Sequence, residues 1–449
     1  MSTAPVRRVA SAFLAQLAYC LNLRASRIFL ACFLVWLLLF QYGRVKFWRD
    51  PHSAFFQEDH VYDMGYSLYR EREAWHFISR HNSDSKSPDY VKGGSTPSVC
   101  AAIVTVRRDL DHYFEASVGS LLEGLDEKER RALYLRVLFA DTDPRVHPSW
   151  GQRWVDRLVD SAETYNVSEA ELVHLQYLET ERNFYEKGVF DYIYALQSCQ
   201  KINASYIIIF EDDIILATGW FSKTVKALTD IARLEEAQRR REHHQSSWIY
   251  LRLFYTETAL SWSDSDWAYR HMPLVFGVLM LSAFAVLVLL RRRPAHYFPQ
   301  LRLRLDFMSI MVISVVCVPA FTALIYMFGK YSLSPLHGVV EMNKSGCCTQ
   351  GLVFPSQQVD GLIAFLSARG HGQTDSLIEE YADQTQRTRY ALAPPQLQHV
   401  GLKSSRDNLD INTRSTWAFW FETNDPKALK KEHTDLLEDI DVENMLMQE

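Results

Sequence analysis

Apolar residues are concentrated in three runs along the chain, at residues 25–43, 272–290 and 307–329. An α-helix rises about 1.5 Å per residue, so about 20 apolar residues cross the roughly 30 Å hydrocarbon core of a bilayer. Each run has about this length, and the second and third contain no charged residue. The pattern therefore predicts three transmembrane helices.

Two other structures are compatible with such runs. The first run could be a cleaved signal peptide, but the sequence QYGRVKFWRD at its end lacks the small-residue pattern of a cleavage site. The second or the third run could be a buried helix of a soluble core, but two such runs in succession favour a membrane hairpin.

Basic residues predict how the three helices are oriented. Arginines cluster before the first run, and the connector at 291–306 carries five arginines against one acidic residue. This excess of positive charge places residues 1–24 and the connector in the cytosol. Residues 44–271 and 330–449 then share the lumenal side, where they can complete a single domain. Three N-glycosylation sequons lie in the lumenal segments, at Asn166, Asn203 and Asn343.

The lumenal segments combine short apolar runs with stretches of helical spacing. Runs of strand length occupy residues 99–106, 133–140, 206–210 and 247–255. Helical spacing occupies residues 55–80, 150–172 and 184–200. Strands that alternate with helices predict an α/β fold with a mainly parallel sheet covered on both faces.

This pattern also predicts the domain boundaries. Residues 44–98 are expected to form a stem and linker, and residues 99–271 the first part of the sheet domain. Its second part is expected at 330–423, where 347–366 predicts a loop followed by a helix. A further helix is expected to begin near Thr374 and Asp375, which are plausible N-cap residues. A charged tail follows at 424–449.

Composition narrows the class of protein. The chain is 48% hydrophobic and 23% charged, which is typical of a folded protein. The formal net charge of -6 provides no basic surface, and the arginine clusters lie beside the apolar runs. Binding to nucleic acid is therefore disfavoured.

The seven cysteines form no C-x-x-C pair, so no zinc site is predicted. Three of them lie in or near the apolar runs. The other four, which would lie in an oxidising lumen, allow three disulfide connectivities, and the sequence does not choose among them. They are Cys100, Cys199, Cys347 and Cys348.

Acidic residues follow several predicted strands, most densely in YIIIFEDDIIL at residues 206–216. Burying a charge costs several kcal/mol unless a partner compensates it. Glu211, Asp212 and Asp213 supply hard oxygen ligands that suit Mg²⁺ or Mn²⁺, and such an ion would bridge the phosphates of a nucleotide-sugar. Taken alone, an acidic cluster after a strand is more often a solvated turn, and a lone histidine such as His399 is more often structural.

Several segments together resemble the post-GPI-attachment GalNAc transferases. These segments are RNFYEKGVFDYIYALQSC, YIIIFEDDIIL, WIYLRLFYTE, the apolar hairpin, CCTQGLVFP and HVGLKSS, and they span roughly residues 101–407. The resemblance implies a GT-A-like glycosyltransferase fold with an inserted transmembrane hairpin, three transmembrane helices in all, and a location in the Golgi membrane. It implies transfer of N-acetylgalactosamine from UDP-GalNAc to the first mannose of a GPI glycan, on a GPI-anchored protein or a GPI glycolipid.

The resemblance also assigns roles to residues. Asp213, Glu211 and His399 would hold Mn²⁺ or Mg²⁺, with Asp213 the primary ligand. Glu211 or Asp212 would contact ribose or bound water. Glu186, Lys187 and Asp191 match a Y/F-E-K-x-x-x-D pattern near the donor, although an exposed helix face with i,i+4 pairs explains them equally well. The end of the first strand would contact the uridine through Thr105, Val106, Arg107 and Arg108.

A β linkage formed from an α-linked donor implies inversion by direct displacement, which requires a general base. Asp375 matches the family pattern for this base; its alternative role is helix N-capping. The chain departs from animal members of the family in its acidic C-terminal extension and in its lumenal cysteines apart from the CC pair. Because a bond between adjacent cysteines closes a strained ring, we expect Cys347 and Cys348 to pair with Cys100 and Cys199, or one to stay free.

Two other functions remain open from the sequence. The acceptor could be a glycoprotein or a glycosphingolipid. The sequence also does not separate hexose from N-acetylhexosamine donors, because the contacts of the donor pocket are not encoded in motifs. The protein could instead be a non-catalytic three-span receptor or scaffold with a Ca²⁺-stabilised lumenal domain. The EDD step lacks the alternating oxygen ligands of a calcium loop, which counts against the scaffold.

Overall fold

The computed structural model describes residues 23–83, 90–108, 113–242, 247–292, 306–342, 348–401 and 416–439. The chain divides into two compact units. The first, called the membrane unit, comprises Met1–Val61 and Ala259–Pro335. The second, called the sheet unit, comprises Tyr62–Thr258 and Leu336–Glu449.

The helices of the described residues are numbered in chain order. They are α1 (Arg24–Lys46), α2 (Glu58–Val61), α3 (Tyr66–Asn82), α4 (Phe114–Leu122), α5 (Glu127–Ala132), α6 (Arg153–Leu158), α7 (Glu169–Thr180), α8 (Phe184–Gln200), α9 (Trp220–Glu242), α10 (Trp267–Arg270), α11 (Met272–Arg292), α12 (Phe307–Phe328), α13 (Lys330–Leu333), α14 (Ser356–Arg369), α15 (Thr374–Gln384) and α16 (Pro426–Asp439).

The strands are numbered in the same way. They are β1 (Val99–Thr105), β2 (Leu133–Phe139), β3 (Ser161–Glu163), β4 (Tyr206–Phe210), β5 (Ile214–Leu216), β6 (Trp248–Arg252), β7 (Gly338–Glu341), β8 (Gly351–Pro355), β9 (Thr388–Ala393) and β10 (Leu397–His399).

Three helices of the membrane unit, α1, α11 and α12, are long and apolar enough to cross a bilayer. They match the three predicted spans to within a few residues. Trp36 of α1 donates its indole N–H to the carbonyl of Ala320 in α12 at 3.1 Å, so the first helix packs against the hairpin. Within α12, a π-helical stretch at Val312–Cys317 precedes Pro319, which cannot donate a backbone hydrogen bond.

Polar contacts join the ends of the hairpin helices within the membrane unit. Lys330 Nζ lies 2.6 Å from Asp266 Oδ1, and the Tyr326 hydroxyl donates to the carbonyl of Ala268 at 2.8 Å. Residues just before α11 are therefore fastened to the last turn of α12 and to the first residue of α13.

The sheet unit contains an eight-stranded sheet in the order β3-β2-β1-β4-β8-β6-β9-β7. Four neighbouring pairs are parallel, namely β2–β3, β1–β2, β1–β4 and β6–β9, and the other three are antiparallel. Helices pack on the sheet, which confirms the predicted α/β class with a mainly parallel sheet.

Strand β8 lies after the hairpin in sequence but between β4 and β6 in the sheet. All five of its residues are buried. The two sequence segments flanking the hairpin therefore interleave in one sheet, as their predicted common compartment allowed. The expectation of only a loop and a helix at 347–366 is wrong, because a five-residue apolar run beside a helix carries no periodicity that identifies it as a strand.

Two further expectations differ from the structure. The helical stretch expected at 150–172 is divided into α6, the short strand β3 and the start of α7. The expected stem helix is part of the sheet unit, since Arg70 of α3 is fully buried and donates to the carbonyls of Leu216 and Ser120. Helices α3 and α4 lie close together at Gly119 of α4. A Cβ added to this glycine would be only 2.8 Å from the Cβ of Ala74 in α3.

Cys100 of β1 and Cys199 of α8 are bonded to each other. The expectation that they pair with Cys347 and Cys348 is therefore wrong. Both cysteines belong to the apolar core between the sheet and α8, where the packing of α8 across β1 brings the two sulfurs together. Cys348 is disulfide-bonded as well, whereas Cys347 lies outside the described residues.

The predicted sequons differ in what the structure describes. Asn166 and Asn203 are exposed, and Asn203 lies in a turn with a φ of 57°. Asn343 lies outside the described residues.

Candidate active site

The acidic step Glu211–Asp213 connects two buried strands, β4 and β5. Strands β1 and β4 are parallel neighbours, with Ile103 opposite Phe210, so their carboxyl ends meet at one edge of the sheet. Ligands of open α/β sheets bind at this edge. The acidic side chains are thereby presented to a cleft instead of to bulk solvent.

Glu211, Asp213 and His399 bring one ligand atom each to within 4.8 Å of one another. The antiparallel pairing of β5 with β10 explains this, because it sets His399 opposite Ile214, the residue after Asp213. His399 Nε2 lies 3.3 Å from Asp213 Oδ2, and Val400 N donates to the Asp213 carbonyl at 2.9 Å. The Thr349 hydroxyl donates to Glu211 Oε1 at 2.6 Å and orients that carboxylate.

Arg108 supplies the positive charge of this cluster. Its Nη2 lies 2.5 Å from Asp212 Oδ1 and 3.0 Å from Asp213 Oδ2. Burial would raise the pKa of Asp213, but the charges of His399 and Arg108 hold that pKa well below its usual range. Burial would lower the pKa of His399, but the charge of Asp213 raises it above its ordinary value. These two shifts favour ionised Asp213 beside protonated His399.

The cluster has the features that a bound divalent cation requires. Among the described residues, Asp213 Oδ1 is buried and has no hydrogen-bond partner. A buried carboxylate oxygen without a partner is costly, and a cation would compensate it. Two carboxylates and one imidazole make a mainly oxygen donor set, which suits Mn²⁺ or Mg²⁺. Glu211, Asp213 and His399 could therefore hold such an ion.

Asp212 shares Arg108 with Asp213 through one carboxylate oxygen, but its other oxygen has a separate partner. Ser149 N donates to His147 Nδ1 at 3.2 Å, which leaves His147 Nε2 as the donor to Thr105 Oγ1 at 3.0 Å. The Thr105 hydroxyl in turn donates to Asp212 Oδ2 at 2.7 Å. This chain of hydrogen bonds is buried and fixes the Asp212 carboxylate.

Thr105 consequently lies behind the cleft and does not line it, whereas Val106, Arg107 and Arg108 do. Any contribution of Thr105 to donor binding would pass through Asp212. His147 could not be found from the sequence, because it follows a 3₁₀ turn (Pro144–Val146) and belongs to no spaced motif.

The cleft beside the acidic cluster has a volume of about 660 Å³ and is lined by residues from both sides of the hairpin in sequence. Lys187 and Asp191 of α8 line it, but both are mostly buried. Lys187 Nζ donates to the Ala140 carbonyl at 2.6 Å and to the Tyr165 hydroxyl at 2.6 Å, and lies 3.1 Å from Asp191 Oδ2.

The i,i+4 pair of Lys187 and Asp191 therefore exists, but on a buried face that supports the end of β2 and not on an exposed one. Glu186 points elsewhere and pairs with His174 at 2.7 Å. Glu186 is not one of the described residues that line the cleft.

Asp141 is a cleft residue for which no role is predicted from the sequence. It follows β2, and its Oδ2 accepts a hydrogen bond from Arg107 N at 2.8 Å. Burial raises the pKa of Asp141 to about 6, although the hydrogen bond from Arg107 opposes the shift. The only sequence signal was its position in ADTD at the end of a predicted strand.

Asp375 lies in the first turn of α15 and lines the same cleft as the acidic cluster. The helix N-cap is Gln373, and it makes no side-chain cap. Asp375 Oδ1 accepts a hydrogen bond from Ser376 N at 2.7 Å. The expected N-capping role is therefore not observed.

A buried ionic network connects α15 to strands β6 and β9. Glu379, one turn after Asp375, lies 2.7 Å from Arg252 Nη2 and 3.0 Å from Arg389 Nε. Arg252 also donates to the carbonyl of Cys348, in the loop that lines the cleft. The end of β6 therefore connects the helix that carries Asp375 with the segment that precedes β8.

Comparison with protein families finds a match to the family model described as GPI-N-acetylgalactosamine transferase PGAP4. The match covers residues 99–398, which is about two thirds of the chain and includes every strand from β1 to β9. A comparison with individual curated proteins finds no match.

Proposed function

The chain belongs to the GPI-N-acetylgalactosamine transferase family, and from this premise we propose that it transfers N-acetylgalactosamine from UDP-GalNAc to the first mannose of a GPI glycan. The linkage formed would be β, with inversion at the anomeric carbon. The observation that carries this proposal is the cluster of Glu211, Asp213 and His399 at the edge of a cleft large enough for a nucleotide-sugar.

We assign the diphosphate to the acidic cluster. Glu211, Asp213 and His399 would hold Mn²⁺ or Mg²⁺ there, and the bound ion would neutralise the charge that develops on the leaving diphosphate. Arg108 is within hydrogen-bonding distance of Asp212 and Asp213, so its guanidinium can also reach an anionic group at this position.

The nucleoside would lie along the ends of β1 and β2. Val106 and Arg107 line this part of the cleft. Lys187 donates to the Ala140 carbonyl after β2, and Asp191 pairs with Lys187. These contacts make the wall rigid, which reduces the entropy that is lost when the donor is oriented.

We propose Asp375 as the general base. Its carboxylate would accept the proton of the attacking mannose hydroxyl while the oxygen of that hydroxyl bonds to the anomeric carbon of the donor. The bond from that carbon to the diphosphate breaks as UDP leaves with its electron pair. Attack on the face opposite UDP inverts the configuration, which accounts for a β product from an α-linked donor.

Three membrane helices fit an acceptor that is itself a lipid. The distribution of arginines supports a cytosolic N-terminus and a lumenal sheet unit, and we propose the Golgi membrane as the location. A GPI-anchored protein or a GPI glycolipid would then be held on the same face of the bilayer as the sheet unit.

Donor binding with matched nucleotide-sugars tests this function. The full-length protein in detergent is titrated with UDP-GalNAc, UDP-GlcNAc and UDP-Gal, with Mn²⁺ present or chelated, and transfer is measured on a GPI-anchored protein. We expect metal-dependent binding that is strongest for UDP-GalNAc, followed by transfer to the GPI glycan. Transfer only to a glycoprotein or glycosphingolipid would change the acceptor, and no metal-dependent binding of any nucleotide-sugar would favour the scaffold.

A further inference from the structure

Direct displacement imposes an order on the groups in the cleft. The diphosphate, the anomeric carbon, the attacking oxygen and the general base must follow one another approximately in line. In the function proposed above, on which this inference rests, the diphosphate lies at Asp213 and the base is Asp375. The acceptor sugar must therefore lie on the Asp375 side of the transferred sugar.

Two exposed rings are found on that side. His371 belongs to the loop that joins α14 to α15, four residues before Asp375, and Tyr185 is the second residue of α8. Their ring centroids are 5.7 Å apart, at an interplanar angle of 50°. Tyr185 lines the same cleft as Asp375. Its ring contact with His371 therefore joins the loop before Asp375 to the wall of the cleft.

Tyr185 is more exposed than the other aromatic residues that line the cleft. Its side chain is 45% exposed, whereas Lys187 and Asp191 on the same helix are 4% and 8% exposed. The loop that presents His371 is shaped by Gly370 and Gly372, which have φ angles of 64° and 142°. Glycine adopts such angles without the strain that a side chain would add, so the two glycines favour the backbone conformation that holds His371 opposite Tyr185.

We propose that Tyr185 and His371 form a platform that binds a pyranose ring of the acceptor glycan. A pyranose has an apolar face of C–H groups and a rim of hydroxyl groups. An aromatic ring with a polar edge matches both, because its face packs on C–H groups and its edge forms hydrogen bonds. The platform would hold the acceptor mannose, or the sugar next to it, with one hydroxyl directed toward Asp375.

Acceptor kinetics of three variants test the platform. The full-length protein is assayed for GalNAc transfer to a GPI-anchored protein, and UDP-GalNAc binding is measured separately by calorimetry with Mn²⁺. Tyr185→Ala should raise the acceptor KM about tenfold or more and leave the donor Kd unchanged, because the ring supplies most of the contact area. Tyr185→Phe keeps the ring and should keep an acceptor KM within about threefold of the wild type. His371→Ala, on a different element, should also raise the acceptor KM.

Tyr177→Ala is the matched control, since Tyr177 of α7 is 59% exposed and lies outside the residues that line the cleft. It should change neither acceptor KM nor donor Kd. If Tyr185→Ala leaves the acceptor KM unchanged, the platform is wrong but the proposed function stands. The same holds if Tyr185→Ala weakens donor binding, because the ring would then contact the nucleotide-sugar. Absence of transfer by the wild-type protein would overturn the proposed function and the platform together.

Discussion

Gly401 is so close to Asp213 that a Cβ at position 401 would lie 2.1 Å from Asp213 Oδ2. No real Cβ occupies such a position, so any side chain at residue 401 must displace the carboxylate. Gly401 follows β10, whose pairing with β5 sets His399 beside the same carboxylate. Gly401 and His399, both at the carboxyl end of β10, therefore define the position of the Asp213 carboxylate.

Gly401→Ala tests this relationship. The added methyl group should move the Asp213 carboxylate away from His399 and weaken Mn²⁺-dependent binding of UDP, by about tenfold or more. The measurement is a calorimetric titration of UDP in the presence of Mn²⁺. Gly277→Ala is the control, because a Cβ there would meet no atom within 4 Å, and it should bind UDP as the wild type does. Equal UDP affinity in both variants would show that the carboxylate does not need this space.

Asp213→Ala tests the proposed primary metal ligand. We expect a loss of transfer activity of at least about a hundredfold, because the charge on the leaving diphosphate would lose several kcal/mol of stabilisation. We also expect the chain to stay folded, because Arg108 keeps its ion pair with Asp212 when the Asp213 carboxylate is removed. Transfer activity and the thermal unfolding midpoint are measured on the same preparation. Substantial transfer by a folded variant would exclude Asp213 as the essential ligand.

Asp375→Asn tests the proposed base. Asparagine keeps the size of the side chain but cannot accept the proton at neutral pH, so transfer should fall by roughly a hundredfold to ten-thousandfold. Donor affinity should be retained, because Asp375 is not assigned to the nucleotide. Single-turnover transfer and UDP-GalNAc binding are compared for the two proteins. Full retained activity would remove Asp375 from this role.

Asp141→Asn tests the raised pKa of a cleft carboxylate. The folded state favours the neutral form of Asp141, with a pKa of about 6 against an ordinary value of 3.8. The ionised carboxylate therefore destabilises the folded protein, and this cost develops between about pH 4 and pH 6 and persists above it. The variant should gain thermal stability relative to the wild type at pH 7.5 and lose that gain near pH 4.

Asp143→Asn in the same segment provides the opposite sign. The hydrogen bonds from Arg145 lower the pKa of the exposed Asp143 carboxyl, so the ionised form favours the folded state above its ordinary pKa. Its replacement should give no gain at pH 7.5. Unfolding midpoints at the two pH values, for both variants and the wild type, complete the measurement. A pH-independent difference for Asp141→Asn would contradict the raised pKa.

The membrane helices could be predicted from the sequence because insertion depends on the hydropathy of about 20 consecutive residues. The buried strand β4 and the acidic step after it were also predicted, since both are local features of one segment. Strand β8 was not, because its five apolar residues directly precede a helix and resemble its first turn. The pairing of Cys100 with Cys199 likewise depends on where α8 crosses β1, which no local pattern records.

The sequence by itself determined the three apolar helices, the α/β class and the positions of Glu211, Asp213 and His399 as candidates. Only the tertiary structure decided that these three side chains meet, because the register of β5 against β10 sets residues almost 190 positions apart side by side. The tertiary structure also places Thr105 behind the cleft, next to His147, and brings Asp141 and Tyr185 into the cleft lining. Side chains converge on a site through strand pairing and helix packing, which act between distant segments and leave no spacing in the sequence.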